Sequence, residues 1–206
     1  HTVTIGGRSV AFLPPGDTTL RVLRPGRLIR AITRRAAGDL LARIPPGQDD
    51  AVDDPNARGF SPWPAPRDGY RIRVYPMEAP PREGSFGRVW RCSAFLVLYV
   101  GAQRGPRDAS RLSPHAHHDF QQCNVILDGE FNFNMRWPWG QDKAAWRQDE
   151  HERVPAPAVV MIPAQAIHTT ERLSPGINYV FDIYAPPRED FALAGWAING
   201  DEYPLP

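Results

Sequence analysis

Three of the six histidines in the chain lie within four positions, in the stretch SPHAHHDFQQCNVILDGEF over residues 113–131. On an extended strand, His115 and His117 face the same way because side chains two positions apart lie on one side. A further histidine, His168, follows the run VVMIPAQA. Neutral imidazole nitrogens bind zinc, iron, nickel, copper and manganese. Two imidazoles aimed at one spot suggest a divalent metal ion, but histidines in a polar surface turn explain the residues equally well at this point.

A second stretch, INYVFDIYAPPREDF over residues 177–191, carries groups that could transfer protons or bind an anion. Alternation along a strand puts one set of side chains on a single face: Asn178, Val180, Asp182 and Tyr184. If that face lines a cavity, a carboxylate and a phenol enter it. The alternative is that Asp182 caps a turn and that Arg188 pairs with Glu189 or Asp190.

Composition narrows the class of protein. The 206 residues are 42% hydrophobic, and 24 basic and 23 acidic residues leave a formal charge of +1, with the arginines spread along the chain. This balance argues against a nucleic-acid partner. The longest apolar run, AFLVLYV over residues 94–100, has the length of a buried strand, so we expect no membrane span. Cys92 and Cys123 predict buried free thiols and hence a cytoplasmic protein.

The elements that must position these residues are mostly strands. Apolar residues recur at helical spacing between Pro25 and Pro45, which predicts one amphipathic helix over about 27–44, and residues 45–67 read as a long loop. Five β-rich runs follow, separated by Gly, Pro and Asp: YRIRVYPM, VWRCSAFLVLYV, CNVILDGEFNFNMRW, AVVMIP and INYVFDIYA. We therefore predict an N-terminal extension over 1–69 and an all-β sandwich or barrel over 70–206.

The histidine spacing resembles the two sequence motifs of the cupins. The matching positions are His115, His117, Gln122 and Gly129 for the first motif, and Pro163, Gln165 and His168 for the second. The resemblance implies a double-stranded β-helix, a jelly-roll barrel, with a metal ion held inside by His115, His117, Gln122 and His168. It does not identify the metal among iron, nickel, zinc and manganese.

Four positions depart from the cupin pattern. Gln122 stands where glutamate is usual, Gln165 and Pro157 where glycines are usual, and Arg172 where asparagine is usual. A glutamine brings no negative charge to a metal site, so the ion would be a stronger Lewis acid and would welcome an anionic ligand. Gln122 either coordinates through its carbonyl oxygen or only forms a hydrogen bond, which leaves a three-histidine site.

The end of the barrel sequence resembles that of the pectin-degradation cupins, which open the ring of unsaturated uronates. This resemblance implies catalytic roles for Asp182, Tyr184 and Arg188, with Tyr184 standing where that family has phenylalanine. Asp182 would transfer a proton, and Arg188 would hold a substrate carboxylate.

Three functions follow from these residues. The first is a metal-dependent isomerase, ring-opening enzyme or lyase acting on a small carboxylate or sugar acid. The second is a ferrous dioxygenase with a three-histidine site, and the third is a ligand-binding cupin without catalysis. In each case the partner is a small molecule. The sequence leaves open whether the chain forms a homodimer.

Overall fold

The computed structural model of the protein describes residues 2–43 and 54–206, and strands dominate the second of these ranges. The eleven strands in the described residues are β1 Ser9–Phe12, β2 Arg73–Pro76, β3 Arg88–Arg91, β4 Leu96–Tyr99, β5 Gln103–Arg104, β6 Gln121–Asp128, β7 Glu130–Arg136, β8 Glu150–Pro155, β9 Ala158–Ile162, β10 Ile167–Arg172 and β11 Ile177–Ala185. Two short α-helices, α1 Arg34–Ala37 and α2 Glu189–Leu193, accompany them. The all-β prediction is confirmed.

The strands form two principal antiparallel sheets. The larger has the order β3-β4-β11-β6-β9, with β5 also pairing with β11, and the smaller has the order β10-β7-β8. Strands β1 and β2 form a separate two-stranded sheet. Non-consecutive neighbours such as β4, β11 and β6 are typical of a jelly roll, in which the chain crosses between sheets.

Hydrophobic side chains fill the space on both sides of the larger sheet. One cluster contains Val89, Leu96 and Leu98 with Tyr184, and another joins Trp90 and Tyr99 on the opposite face. Strands β6 and β7 contribute a third cluster around Ile126, Phe131, Phe133 and Met135. These residues alternate along their strands because successive side chains point to opposite faces.

The predicted N-terminal helix over about 27–44 is wrong in extent. Only α1 is α-helical, and a 3₁₀-helix over Gly38–Arg43 follows it, while residues 27–33 are neither helix nor strand. Leu28 is 67% exposed and Ile29 45% exposed, so the apolar face that the spacing predicted has no surface to bury against. Short helices without tertiary packing are marginal in water. Residues 44–53, which include the last residue of the predicted helix and the first part of the predicted 45–67 loop, lie outside the described residues.

Two features of the strands add to the prediction. The β-rich run VWRCSAFLVLYV contains two strands, β3 and β4, and the turn between them is closed by the hydrogen bond from Cys92 N to Phe95 O (2.9 Å). Strand β1 in the N-terminal extension pairs with β2, which ties residues 9–12 to the rest of the fold. Among the described residues, no helix has the length and apolar character needed to cross a bilayer.

Candidate metal centre

Backbone hydrogen bonds bring the two histidine segments together. His115 N donates to His168 O (3.0 Å), and His168 N donates to His115 O (2.8 Å), so the two residues form an isolated antiparallel bridge. Gln165 N donates to His117 O (2.6 Å) and adds a second connection. The sequence spacing suggested a regular strand for the segment that holds His115 and His117. The segment is instead irregular, and its geometry depends on this bridge to β10.

The three histidines converge on one point. Each offers a ring nitrogen, and these atoms all lie within 4.8 Å of one another. The ring centroids of His115 and His168 are 4.5 Å apart, and His117 lies 5.0 Å from each. These residues are therefore close enough to share one metal ion.

Hydrogen bonds fix the tautomers of two of these rings. His115 Nδ1 lies 2.9 Å from Ser113 O, and His168 Nδ1 lies 2.9 Å from Ala166 O. A carbonyl oxygen only accepts, so each Nδ1 carries the hydrogen and each Nε2 keeps its lone pair. His168 Nε2 is buried and has no hydrogen-bond partner in the described residues. Such a lone pair is what a metal ion requires, so the donor set fits a divalent metal.

Burial keeps two of the imidazoles neutral. Desolvation, with a smaller contribution from neighbouring positive groups, lowers the pKa of His117 to about 3 and that of His168 to about 4. Phe120 stacks on the His117 ring with centroids 4.6 Å apart, and Tyr184 packs against it edge-on at 5.6 Å. The aromatic contacts hold the ring in place and exclude water from it.

A chain of amides orients Gln122. Asn124 Nδ2 donates to Asp182 Oδ1 (2.6 Å), and Gln122 Nε2 donates to Asn124 Oδ1 (2.9 Å). The carboxylate can only accept while ionised, so it sets the direction of both amides. Gln122 Oε1 therefore faces His117, at 2.7 Å from Nε2. The distance suits two neighbouring ligands of one ion, and it also suits a hydrogen bond between the two side chains.

Two positions in the motifs have the backbone of glycine. Gly129 has φ +85°, and a Cβ there would lie 2.6 Å from Asn178 Oδ1, so no other residue fits. Gln165 has φ +65° although it is not glycine. The N–H of Gln165 donates to His117 O, and this bond helps to hold the conformation. The left-handed backbone explains why glycine is usual at this point of the cupin motif.

A cavity of about 260 Å³ lies between the two sheets and reaches the histidines. It is lined by His115, Gln122 and His168, and by all four β11 residues whose side chains alternate to one face: Asn178, Val180, Asp182 and Tyr184. Tyr179 and Phe181 pack into the hydrophobic cluster on the opposite side of β11. Three of the four predicted metal ligands thus line the same cavity as Asp182, and the ring of the fourth, His117, lies 5.0 Å from the other two histidine rings.

Asp182 and Tyr184, the two ionisable groups on the cavity face of β11, both have raised pKa values. Burial raises the pKa of Asp182 to about 7, and the positive charge of Arg188 opposes that rise. Burial also raises the pKa of Tyr184 well above its usual value, so its phenol stays protonated at neutral pH. A carboxylate with a pKa near neutrality can both accept and return a proton.

Arg188 also lines the cavity, but its guanidinium already has a partner. Nε donates to Asp190 Oδ1 (3.0 Å) and Nη2 to Asp190 Oδ2 (2.6 Å). The guanidinium carbon lies 3.5 Å from the centre of the Phe191 ring and 5.1 Å from that of Tyr184. Two of its N–H groups are thus engaged by a carboxylate of the protein, which matches the ion-pair alternative left open by the sequence.

Sequence reasoning missed Asn124 and Phe120. Asn124 lies two positions after Gln122 on β6, and the strand period alone would have placed both on one face. Phe120 gave no such signal, because it precedes the strand.

His151 is exposed and lies outside this site, where its Nδ1 is 2.6 Å from Asn134 Oδ1. Cys92 and Cys123 are partly buried free thiols, and burial raises the pKa of both.

No family model matches the chain, and no curated protein matches it either. Solved structures do match. A protein from Bacillus halodurans is 20% identical, with a TM-score of 0.39 over 52% of this chain and 75% of its own. KdgF from Halomonas sp. is 17% identical, with a TM-score of 0.39 over 55% and 92% of the two chains. An RmlC-like cupin from Shewanella frigidimarina is 16% identical, with a TM-score of 0.39 over 57% and 92%. The chain is similar to cupins over about half of its length.

Proposed function

We propose that the protein is a metal-dependent enzyme that acts on a small carboxylate or sugar acid by isomerisation, ring opening or elimination. The observation that carries this proposal is the shared cavity, because two of the three converging histidines, His115 and His168, line it together with an aspartate whose pKa is about 7. Structural histidines and a buried acid would not need to meet at one accessible space.

His115, His117 and His168 would hold the ion, with Gln122 Oε1 as a fourth ligand. The candidates are Fe, Ni, Zn and Mn, since imidazole and amide oxygen suit all four. When bound, a divalent ion supplies Lewis-acid polarisation of a substrate oxygen. All four ligands are uncharged, so the site keeps the full charge of the ion and favours an anionic substrate.

Asp182 is the proposed proton carrier. Its Oδ1 is occupied by Asn124, which leaves Oδ2 to take a proton from the substrate and to return it elsewhere. Tyr184 remains protonated and donates a hydrogen bond to a developing negative charge. Arg188 contributes a fixed positive charge beside both residues, since its pair with Asp190 prevents a bidentate hold on a substrate unless Asp190 moves away.

A dioxygenase is the second candidate. The three converging histidine nitrogens favour it, because three histidines without Gln122 leave open positions on the ion for a substrate and for dioxygen. In that arrangement His117 Nε2 keeps its lone pair for the ion and does not donate to Gln122. Ferrous iron in such a neutral set is suited to dioxygen chemistry. A cytoplasmic location and a homodimer stay predictions.

The test combines metal analysis with a substrate panel. We expect His168→Ala to lose most of its bound metal, whereas His151→Ala, an exposed histidine outside the cavity, retains it. Unsaturated uronates, saturated sugar acids and keto acids would then be incubated under argon and in air. Turnover under argon supports the proposal, and turnover only in air with oxygen consumption supports the dioxygenase. Binding without turnover on the whole panel would contradict both.

A further inference from the structure

Two arginines line the cavity at a distance from Arg188. Arg172 ends β10, four residues after His168, and Arg107 belongs to the segment that runs beside it. Arg107 N donates to Arg172 O (3.0 Å), so the two residues are backbone neighbours. The cupin pattern has asparagine at the position of Arg172, so this cationic pair is a feature of this chain.

Two backbone oxygens and one hydroxyl hold Arg107 in one orientation. Its Nη1 donates to Thr170 O (3.0 Å), and its Nη2 donates to Arg111 O (3.2 Å) and to Ser113 Oγ (3.0 Å). A guanidinium bound in this way has lost its rotamer freedom before any ligand arrives. Its charge is therefore fixed at the cavity wall.

Arg172 is held at only one nitrogen. Nε donates to Gly105 O (3.3 Å), and the two terminal amino groups make no hydrogen bond within the described residues. These two groups form the planar fork that binds a carboxylate through parallel hydrogen bonds. The fork lies on the cavity wall and is free.

The charges of this part of the cavity are uncompensated. Neither Arg107 nor Arg172 forms an ion pair within residues 2–43 and 54–206, whereas Arg188 is paired with Asp190. Asp182 is the single carboxylate among the lining residues, and it is bonded to Asn124. Burial and the nearby charge of Arg107 lower the pKa of Arg172, which indicates that the two guanidiniums repel each other. A bound anion would relieve that repulsion.

We propose that Arg172, supported by Arg107, is the carboxylate-binding subsite of this cavity and selects substrates that carry a carboxylate group. This inference rests on the proposed function, and it assigns the substrate carboxylate to Arg172 and Arg107 instead of Arg188. The substrate then extends from the Arg172 fork towards His168 and Asp182, and its reacting carbon lies between them. A cavity of about 260 Å³ lies below the usual range of about 300–1,000 Å³ for ligand sites, so the substrate is small.

The experiment measures binding without reaction. D-Galacturonate and its neutral counterpart D-galactose would be titrated by calorimetry into the protein as purified, and into Arg172→Gln, Arg172→Lys and Arg107→Gln. Arg104→Gln, an exposed arginine on β5, is the matched control. Thermal denaturation of each variant reports whether the fold is intact, and Arg107→Gln provides the second test if Arg172→Gln does not fold.

We expect galacturonate to bind about 10- to 100-fold more weakly to Arg172→Gln, since hydrogen bonds to charged groups contribute about 1.5–3 kcal/mol. Arg172→Lys should recover part of the loss, because it keeps the charge without the fork. Arg104→Gln should bind as the parent does, and galactose should bind equally weakly to all variants.

Several results would overturn the subsite. They are equal galacturonate affinity in the parent and Arg172→Gln, the absence of measurable galacturonate binding to the parent, and binding of inorganic phosphate in preference to galacturonate. The last would assign the pair to a phosphate. Failure of the substrate panel with an intact galacturonate effect would instead overturn the proposed enzyme and leave the subsite standing.

Discussion

Replacing Asp182 with asparagine keeps the shape of the side chain and removes its ionisation. Asn124 Nδ2 donates to Asp182 Oδ1 (2.6 Å), and an amide oxygen at the same place would accept that bond equally well. The amide chain to Gln122 is therefore preserved. The variant isolates the proton and the charge from the geometry.

The structure gives the size of the effect on stability. Moving the pKa of an aspartate from its ordinary 3.8 to about 7 corresponds to about 4 kcal/mol of differential stability. The folded protein holds this proton more tightly than the unfolded chain, so the parent loses stability as the pH rises from about 4 to about 7. Asp182→Asn lacks that loss. Because water can enter the cavity, about 4 kcal/mol is the upper limit of the gain.

Urea unfolding of metal-free parent and variant between pH 4 and pH 8 measures this difference. The buried histidines titrate in both proteins, so their contributions cancel in the comparison. We expect the relative stability of Asp182→Asn to increase steadily up to about pH 7 and then to level off. On any substrate found, the same variant should turn over about 10²-fold or more slowly.

Asp149→Asn is the control, since Asp149 is paired with Arg136 (2.6 Å) and its pKa lies below the ordinary value. That pair stabilises the folded state above the ordinary pKa of 3.8, so the stability of the control relative to the parent should change mainly below about pH 4 and stay nearly flat from about pH 5 to pH 8. A difference between the parent and Asp182→Asn that stays flat from pH 4 to pH 8 would refute the raised pKa. Undiminished turnover of Asp182→Asn would refute its role as proton carrier.

Three further outcomes are expected. With pKa values of about 3 and about 4, His117 and His168 stay neutral at pH 5.5, so NMR spectra of the metal-free protein should show both imidazoles uncharged there and protonated only as the pH falls through about 4; protonation of either ring near pH 6 would contradict this. Asn124→Leu removes the acceptor that orients Gln122 and should weaken metal affinity by about 10- to 100-fold, whereas unchanged affinity in a metal titration would exclude that orienting role. Gln165→Gly relieves the φ of +65° and should raise the free energy of unfolding by up to about 1 kcal/mol, which a lowered melting temperature would disprove.

The strands that carry apolar residues could be predicted from the sequence. The run INYVFDIYA coincides with β11 because one of its faces packs into a hydrophobic cluster and the other lines the cavity. Strands β8 and β10 could not be found in this way. Their sequences, EHERVP and IHTTER, are polar because β8 is exposed and β10 places His168 and Thr170 on the cavity wall.

The candidate site was predictable only where it follows sequence spacing. His115, His117 and His168 lie together as the motifs imply, since their separation reflects the connections of the fold. The free fork of Arg172 depends on which carbonyl oxygens happen to face Arg107 and Arg172, and those oxygens belong to residues far apart in the chain. The helix over about 27–44 failed for a related reason, because helical spacing does not say whether a partner surface exists.

Strand β11 has neighbours along both edges, with β6 on one side and β4 and β5 on the other. Its amide hydrogens should therefore exchange with solvent only when the whole domain unfolds. The segment from Ser113 to His118 lies outside the regular strands and is held by the bridge at His115 and by the bond from Gln165 N to His117 O, so its amides should exchange through local opening. The Asp182 carboxylate on β11 would then stay in place while His115 and His117 move aside. An ion could enter the cavity in this way without any movement of the strand that carries the proton-transferring group.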